Sequence, residues 1–381
     1  MANDSVSVPV KSPPEPGKWT KEILIDHIKT GMFIELSVIP IYLCAIYSIK
    51  LEPGDDSSSW PATARLRILS VVEQEMLHLS LAGNMLRALN GTQTLYNKEY
   101  IPTYPSTILY DDIPMELRPA DKQNLDYFLQ IEAPYLPSVL HPPQPGSDEY
   151  NSIGKFYSYV KGGIEELWNK DKGLFSSNEK KQFTGAEFFD SEMTVITNKD
   201  TAFQALSTIV DQGEGSIGIP DSHYAIFVDL YQNLKRWNCF EYIAKPKTES
   251  YTKNPVAYRL SLAVNASYCY LLQIIDKCWE TEDQSERLQL VRKLHKLMID
   301  ILSPCASILV KQTIEDPNDS SNLKHAAPCF EFYPPDKPEP LPANELRAAL
   351  KKELDEAHAN ASEDNTKTAI TKILFSLQSL D

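Results

Sequence analysis

The chain has 381 residues, enough for one large domain or two to three ordinary ones at roughly 100 to 200 residues each, and far more than a disulfide-stapled mini-protein needs. Charged residues make up 23% and the hydrophobic set 42%, the balance of an ordinary folded chain, so whole-chain disorder and a fibrous repeat are both excluded. Lys plus Arg number 37 against 52 Asp plus Glu, a formal charge of -15 with no basic patch, which argues against a nucleic-acid partner.

Residues 1–18 read as a disordered tail: they carry Asp4, Glu15 and four prolines but neither the apolar core of a secretory signal nor an Arg-rich amphipathic pattern, so the cytosol is the expected compartment. Thr20 stands where an N-cap would, and apolar positions at Leu24, Ile28, Phe33 or Ile34, and Val38 predict helix one over 20–50, kinked but not ended by Pro40. The apolar run Met32 to Ile49 holds Glu35 and Pro40 and lacks a flanking basic cluster, so no membrane span is expected. A Pro-Gly-Asp-Ser loop over 51–59 leads to helix two, 61–89, with Pro61 in its first turn and Asn90-Gly91 as its stop.

Residues 92–194 break into short pieces with weak helices near 122–131 and 153–168, a connection too long for a hairpin. Periodicity returns over 200–211 as helix three, closes at Gly213, and restarts at Ser222 or His223 as helix four, reaching about 237. A last pair, 255–279 and 285–313, precedes a Pro-rich stretch over 329–342 and two polar helices. The class is therefore mainly α, a four-helix bundle with a long crossover between helices two and three and additional C-terminal helices. The chain divides into the tail 1–18, a metal-binding bundle over 19–240, a helical extension packed on it over 241–315, and a polar Pro-rich and helical tail over 316–381. Six cysteines without a C-x-x-C pair read as buried free thiols.

Helix two contains Glu75-Met76-Leu77-His78, whose carboxylate and imidazole share one face at i, i+3, and that face is otherwise apolar. A buried unpaired charge costs several kcal/mol, so both groups need partners. Helix one supplies Glu35, helix three ends in Gln212-Gly213-Glu214-Gly215, and helix four opens on His223. Carboxylate and imidazole from four helices, in the order Glu, Glu-x-x-His, Glu, His, is the pattern of dimetal carboxylate bundles. Such ligands suit iron or manganese, with carboxylates bridging two ions. The bland alternatives are a surface ion pair at helical spacing for Glu75 and His78, and a plain helix C-cap for residues 212–215. Asp355-Glu356-Ala357-His358 lies in a segment with no apolar face and reads as a solvated helix. His27, His141, His295 and His325 read as satisfied or exposed histidines, and Tyr42, Tyr47 and Tyr224 as core packing before any role as pocket wall or electron relay.

The segments IELSVIPIYLCAIYS (34–48), EMLHLSLAGNMLRAL (75–89), FLQIEAP (128–134), SIGKFYSYVKGGIEELW (152–168), IVDQGEG (209–215) and SHYAIF (222–227) occur in the order found in a known family. Together they resemble the ferritin-like domain of the iminophenyl-pyruvate dimer synthase type, related to enzymes that couple two aryl imine units. The resemblance covers about 19–229 and implies a ferritin-like bundle with a metal centre, carrying ligand roles onto Glu35, Glu75, His78, Glu214 and His223. It also picks out Glu132 without assigning it as ligand, supporting acid or ion pair. It expects Glu where Asp229 stands, which leaves the sixth ligand open.

The expected function is an iron-dependent, non-haem di-iron oxidoreductase that uses dioxygen to oxidise or couple a small organic substrate in specialised metabolism. Glu35 and Glu214 would bind or bridge, Glu75 would bridge, and His78 and His223 would each cap one iron; manganese and haem stay open as alternatives. No G-x-G-x-x-G is present, so electrons would come from a donor or from the substrate itself. The rival readings are metal sequestration or peroxide defence, and a helical interaction protein with a vestigial site. A large symmetric oligomer would favour storage; oligomeric state is not legible in the sequence.

Overall fold

Two long helices carry the fold in a computed structural model that describes residues 12–108, 113–134, 150, 152–175, 178–213, 221–316 and 319–380. Helix α1 (Lys21–Ser48) opens on Thr20, whose hydroxyl accepts the Ile23 N–H at 3.2 Å, satisfying one of the unpaired first-turn donors. Pro40 lies inside α1 without ending it. It removes one backbone donor and its ring crowds the preceding turn; there the Tyr104 hydroxyl donates to the Ser37 carbonyl at 2.6 Å. Helix α2 (Trp60–Ala88) starts on Ser59 with Pro61 in its first turn, and left-handed Asn90 (φ 60°) turns the chain away just past its end. The two helices pack along each other. α1 is long and apolar enough to cross a membrane, yet 89% of its apolar window is buried inside the fold.

The connection after α2 holds a two-stranded ribbon, β1 (Ser106–Thr107) with β2 (Pro114–Met115), then α3 (Lys122–Ile131) and α4 (Ile153–Lys170). Here the structure corrects the expected membership of the bundle. α4, read from sequence as a weak crossover helix, packs against α1 and against α5 (Lys199–Gln212), and α5 packs against α2. Its buried residues Phe156, Tyr157, Val160, Ile164 and Leu167 recur at helical spacing. Gly31 lets it approach, since a Cβ there would stand 3.0 Å from the Tyr157 hydroxyl. The expected helix four is shorter: α6 (His223–Gln232) yields to a 3-10 turn at Leu234–Arg236, and it packs on α3 and α2. The Asn233 side chain donates to the Asp229 carbonyl at 2.9 Å and closes its last turn.

The C-terminal part is anchored on the bundle by α7 (Pro255–Glu280). Its Trp279 is 1% exposed and lies where a Cβ on Gly83 of α2 would come within 2.0 Å of its Cζ2. The single helix expected over 285–313 is instead α8 (Gln284–Lys296), a π-helical turn at Leu297–Leu302, and α9 (Ser303–Leu309). Pro304 accounts for the break, because it has no N–H for the Asp300 carbonyl and crowds it.

An antiparallel hairpin, β3 (Thr313–Asp316) with β4 (Asp319–His325), follows, an element the sequence reading did not anticipate. The reading of residues 355–358 as a solvated helix without an apolar face is also corrected. α10 (Ala343–Asn360) buries Leu346, Leu350, Leu354 and Ala357 completely and packs along α7, with α11 (Asp364–Gln378) against it. Those positions follow i, i+4, i+8 and i+11, a narrow stripe that a mostly charged composition conceals. All six cysteines are free, five of them buried.

Candidate metal centre

Five side chains from three helices and one helix cap meet between α1, α2, α3 and α6. Glu35 comes from the middle of α1, Glu75 and His78 from α2, Glu132 from the C-cap of α3, and His223 from the first position of α6. All five are at most 3% exposed. Ser222 accepts the Ala225 N–H at 3.3 Å and sets the start of α6, so that His223 points inward.

Glu75 lies between the two imidazoles. Its Oε2 is 3.4 Å from His78 Nδ1 and its Oε1 is 3.0 Å from His223 Nδ1. Glu35 Oε2 also stands 3.4 Å from His78 Nδ1, and Glu132 Oε2 stands 3.3 Å from His223 Nδ1. The result is two triads sharing Glu75, one with Glu35 and His78 and one with Glu132 and His223, each with its donor atoms within 4.8 Å of one another. The rings of the two histidines lie 5.5 Å apart and nearly parallel.

The outward atoms are held as well. His78 Nε2 is 3.1 Å from Gln212 Oε1, and His223 Nε2 is 2.9 Å from Gln74 Oε1. The Tyr157 hydroxyl donates to Glu35 Oε1 at 2.5 Å, and the Tyr42 hydroxyl donates to Glu132 Oε1. An apolar wall from Ile34, Val38, Ile153 and Ile209 borders a narrow cleft of only about 10 Å³ beside the carboxylates.

Burial raises Glu35 to about 7 against the pull of His78. Burial would raise Glu75 too, but His223 and His78 outweigh it and hold Glu75 well below the ordinary carboxylate range. Desolvation would lower both imidazoles; the carboxylates overcome it, so His78 is raised to about 10 and His223 to about 9. Three buried carboxylates converge on two imidazoles, and among the described residues no Lys or Arg pairs with any of the three. His223 Nδ1 makes no hydrogen bond despite its full burial. Three carboxylates facing two imidazoles at these distances carry more negative charge than the imidazole protons offset, and cations in place of those protons would balance them, so the donor set fits a metal.

Of the expected ligands, Glu35, Glu75, His78 and His223 come together, whereas Glu214 lies outside the described residues. Glu132, which the family resemblance picks out without assigning a role, belongs to the cluster; its local signal is an acid in the apolar run FLQIEAP. Asp229 does not belong: its Oδ2 pairs with Arg67 at 2.8 Å on the protein surface. Tyr42 is at the centre, while Tyr47 is packed near Ser303. His27 is satisfied, donating from Nδ1 to the Ile23 carbonyl at 2.7 Å and accepting at Nε2 from the Tyr150 hydroxyl at 2.9 Å. His295 stacks on Phe188, and His141 lies outside the described residues.

The Ferritin-like family model matches residues 28–232, which contain the five clustered residues. Over an alignment of 377 residues the chain is 23% identical to a dichlorochromopyrrolate synthase from Lentzea aerocolonigenes, covering 81% of this chain and 36% of that protein. The chain thus spans about a third of that relative's length. A ferritin-like protein from Caulobacter vibrioides has a solved structure that aligns with a TM-score of 0.56 and 25% identity, over 76% of this chain and 96% of that one. With more than half of its length matched, the chain belongs to the Ferritin-like family.

Proposed function

We propose that this chain is an iron-dependent, non-haem dimetal oxidoreductase that uses dioxygen to oxidise or oxidatively couple a small organic substrate. The observation that carries the proposal is the pair of buried triads sharing Glu75. Glu35 and His78 would hold one ion, Glu132 and His223 the other, and Glu75 would bridge them. Two irons supply the capacity to bind and reduce dioxygen. Glu214, next in sequence to Gly213 at the edge of the cleft, keeps a ligand role in this proposal.

The surrounding residues position and shield. Tyr157 and Tyr42 take up the outer oxygens of Glu35 and Glu132, leaving one oxygen of each facing inward. Ile34, Val38 and Ile209 keep bulk water from the carboxylates. The resemblance to dichlorochromopyrrolate synthase supports a role in specialised metabolism, with dioxygen, an organic substrate and an electron donor as partners.

Elemental analysis and an optical spectrum after anaerobic iron loading test the reading, on wild type and on His78→Ala and Glu132→Ala proteins. About two irons per chain are expected in wild type, lost in both variants while circular dichroism stays helical. Wild type that stays metal-free after iron and manganese loading would overturn the proposal. Uptake of many irons per chain would indicate storage instead.

A further inference from the structure

Glu192, an exposed carboxylate on the 3-10 turn Asp190–Glu192, lies outside both triads yet connects to one of them. The Gln212 amide donates from Nε2 to Glu192 Oε1 at 2.9 Å, and its Oε1 faces His78 Nε2 at 3.1 Å. A carboxylate only accepts, so the amide nitrogen of Gln212 must face Glu192 and its carbonyl oxygen must face His78. That oxygen also only accepts. His78 therefore keeps a proton on Nε2, so that Nδ1, which faces Glu35 and Glu75, is the nitrogen that gives up its proton and offers a lone pair when a metal binds.

The turn that presents Glu192 is firmly seated. Phe189 (φ 60°) and Asp190 (φ 44°) are both left-handed, a conformation that surrounding structure must hold in place. Gly185 admits the turn, because a Cβ there would stand 2.0 Å from the Asp190 carbonyl oxygen. The other triad is built differently: Gln74 Oε1 faces His223 Nε2 at 2.9 Å, but among the described residues no acceptor fixes the nitrogen of the Gln74 amide.

We propose that Glu192 and Gln212 are positioning residues that lock the metal-binding tautomer of His78, so that the Glu35–Glu75–His78 position fills before the Glu75–Glu132–His223 position. This rests on reading the centre as a dimetal site. It assigns the preference to a hydrogen-bond direction set at the protein surface, not to the charge of Glu192.

Anaerobic titration of the metal-free full-length protein with cobalt(II), followed by its visible absorption, separates the two positions. Wild type should fill in two phases, the tighter one identified by its loss in His78→Ala. Glu192→Gln can still accept from the Gln212 amide and should leave both phases unchanged. Glu192→Lys can only donate; it would reverse the Gln212 amide, put the His78 proton on Nδ1, and weaken the tighter phase about 10- to 100-fold while sparing the other. Gln74→Leu should weaken only the second phase. If Glu192→Gln and Glu192→Lys shift the tight phase in proportion to the charge removed, or if both phases move together, the inference is overturned and the dimetal reading stands. Wild type that binds no cobalt overturns both. Because Glu192 is exposed, its variants test the idea even if a change at Gln212 compromises folding.

Discussion

Loading the centre with metal at neutral pH should release protons, and the number follows from the charges of the metal-free site. The carboxylates outweigh the burial of the imidazoles and raise His78 to about 10 and His223 to about 9, while burial raises Glu35 to about 7. At pH 7 each imidazole therefore carries a proton that the metal must displace, and Glu35 carries about half of one. Full loading should release about two and a half protons per chain at pH 7, where two histidines of ordinary pKa would lose about half a proton between them. Affinity must then rise with pH, by roughly 100-fold from pH 7 to pH 8, and level off above the imidazole range. Calorimetric titration in two buffers of different ionisation enthalpy counts the protons directly, and chelator competition across the same range gives the slope. Release of less than one proton at pH 7 would show that the imidazoles are neutral before metal arrives, and would refute the electrostatic account of the site.

Three further outcomes follow from the same geometry. In the metal-free protein the raised imidazoles contribute stability that is fully present below about pH 6.5 and is lost as pH rises through 9 to 10. The thermal midpoint should therefore fall between pH 7 and pH 10, the effect of Glu35, which has the same sign, being confined to about 4.5 to 7; a midpoint that climbs over pH 7 to 10 contradicts this. Tyr157→Phe strips a buried oxygen of Glu35 of its donor and should cost about 1–3 kcal/mol in chemical denaturation of the metal-free protein, whereas no change would mean that the oxygen finds another partner. Gly83→Ala places a Cβ 2.0 Å from Trp279 and should destabilise by about 1–3 kcal/mol or more; a smaller residue at 279 should recover part of that loss, and its failure to do so would remove Trp279 as the cause.

The bundle helices and most of the cluster were legible because they rest on local regularities. The 3.6-residue period of α1 and α2, their Thr20 and Ser59 caps, and acids set into apolar faces at Glu35 and Glu75 are all properties of consecutive residues. So is Glu75-x-x-His78, whose spacing alone puts both groups on one face. That α1 continues past Pro40 is legible too, because the neighbours of Pro40 on both sides keep the helical pattern.

What remained depended on partners distant in the chain. Glu132 reaches the centre only because α3 packs on α6 and brings its C-cap beside His223, 91 positions later in the sequence; nothing next to Glu132 marks it as more than an acid at a helix end. α4 looked weak since its apolar stripe is broken by Lys and Glu, and only the space opened at Gly31 shows that α1 receives it. α10 looked solvated because four buried apolar positions in eighteen suffice when one long apolar neighbour, α7, covers them. Periodicity and capping, properties of neighbouring residues, dictate which bundle helices form and which of their faces must be buried. Which carboxylates and imidazoles meet follows from helix packing alone, because burial of a charge is settled by the groups the fold places around it.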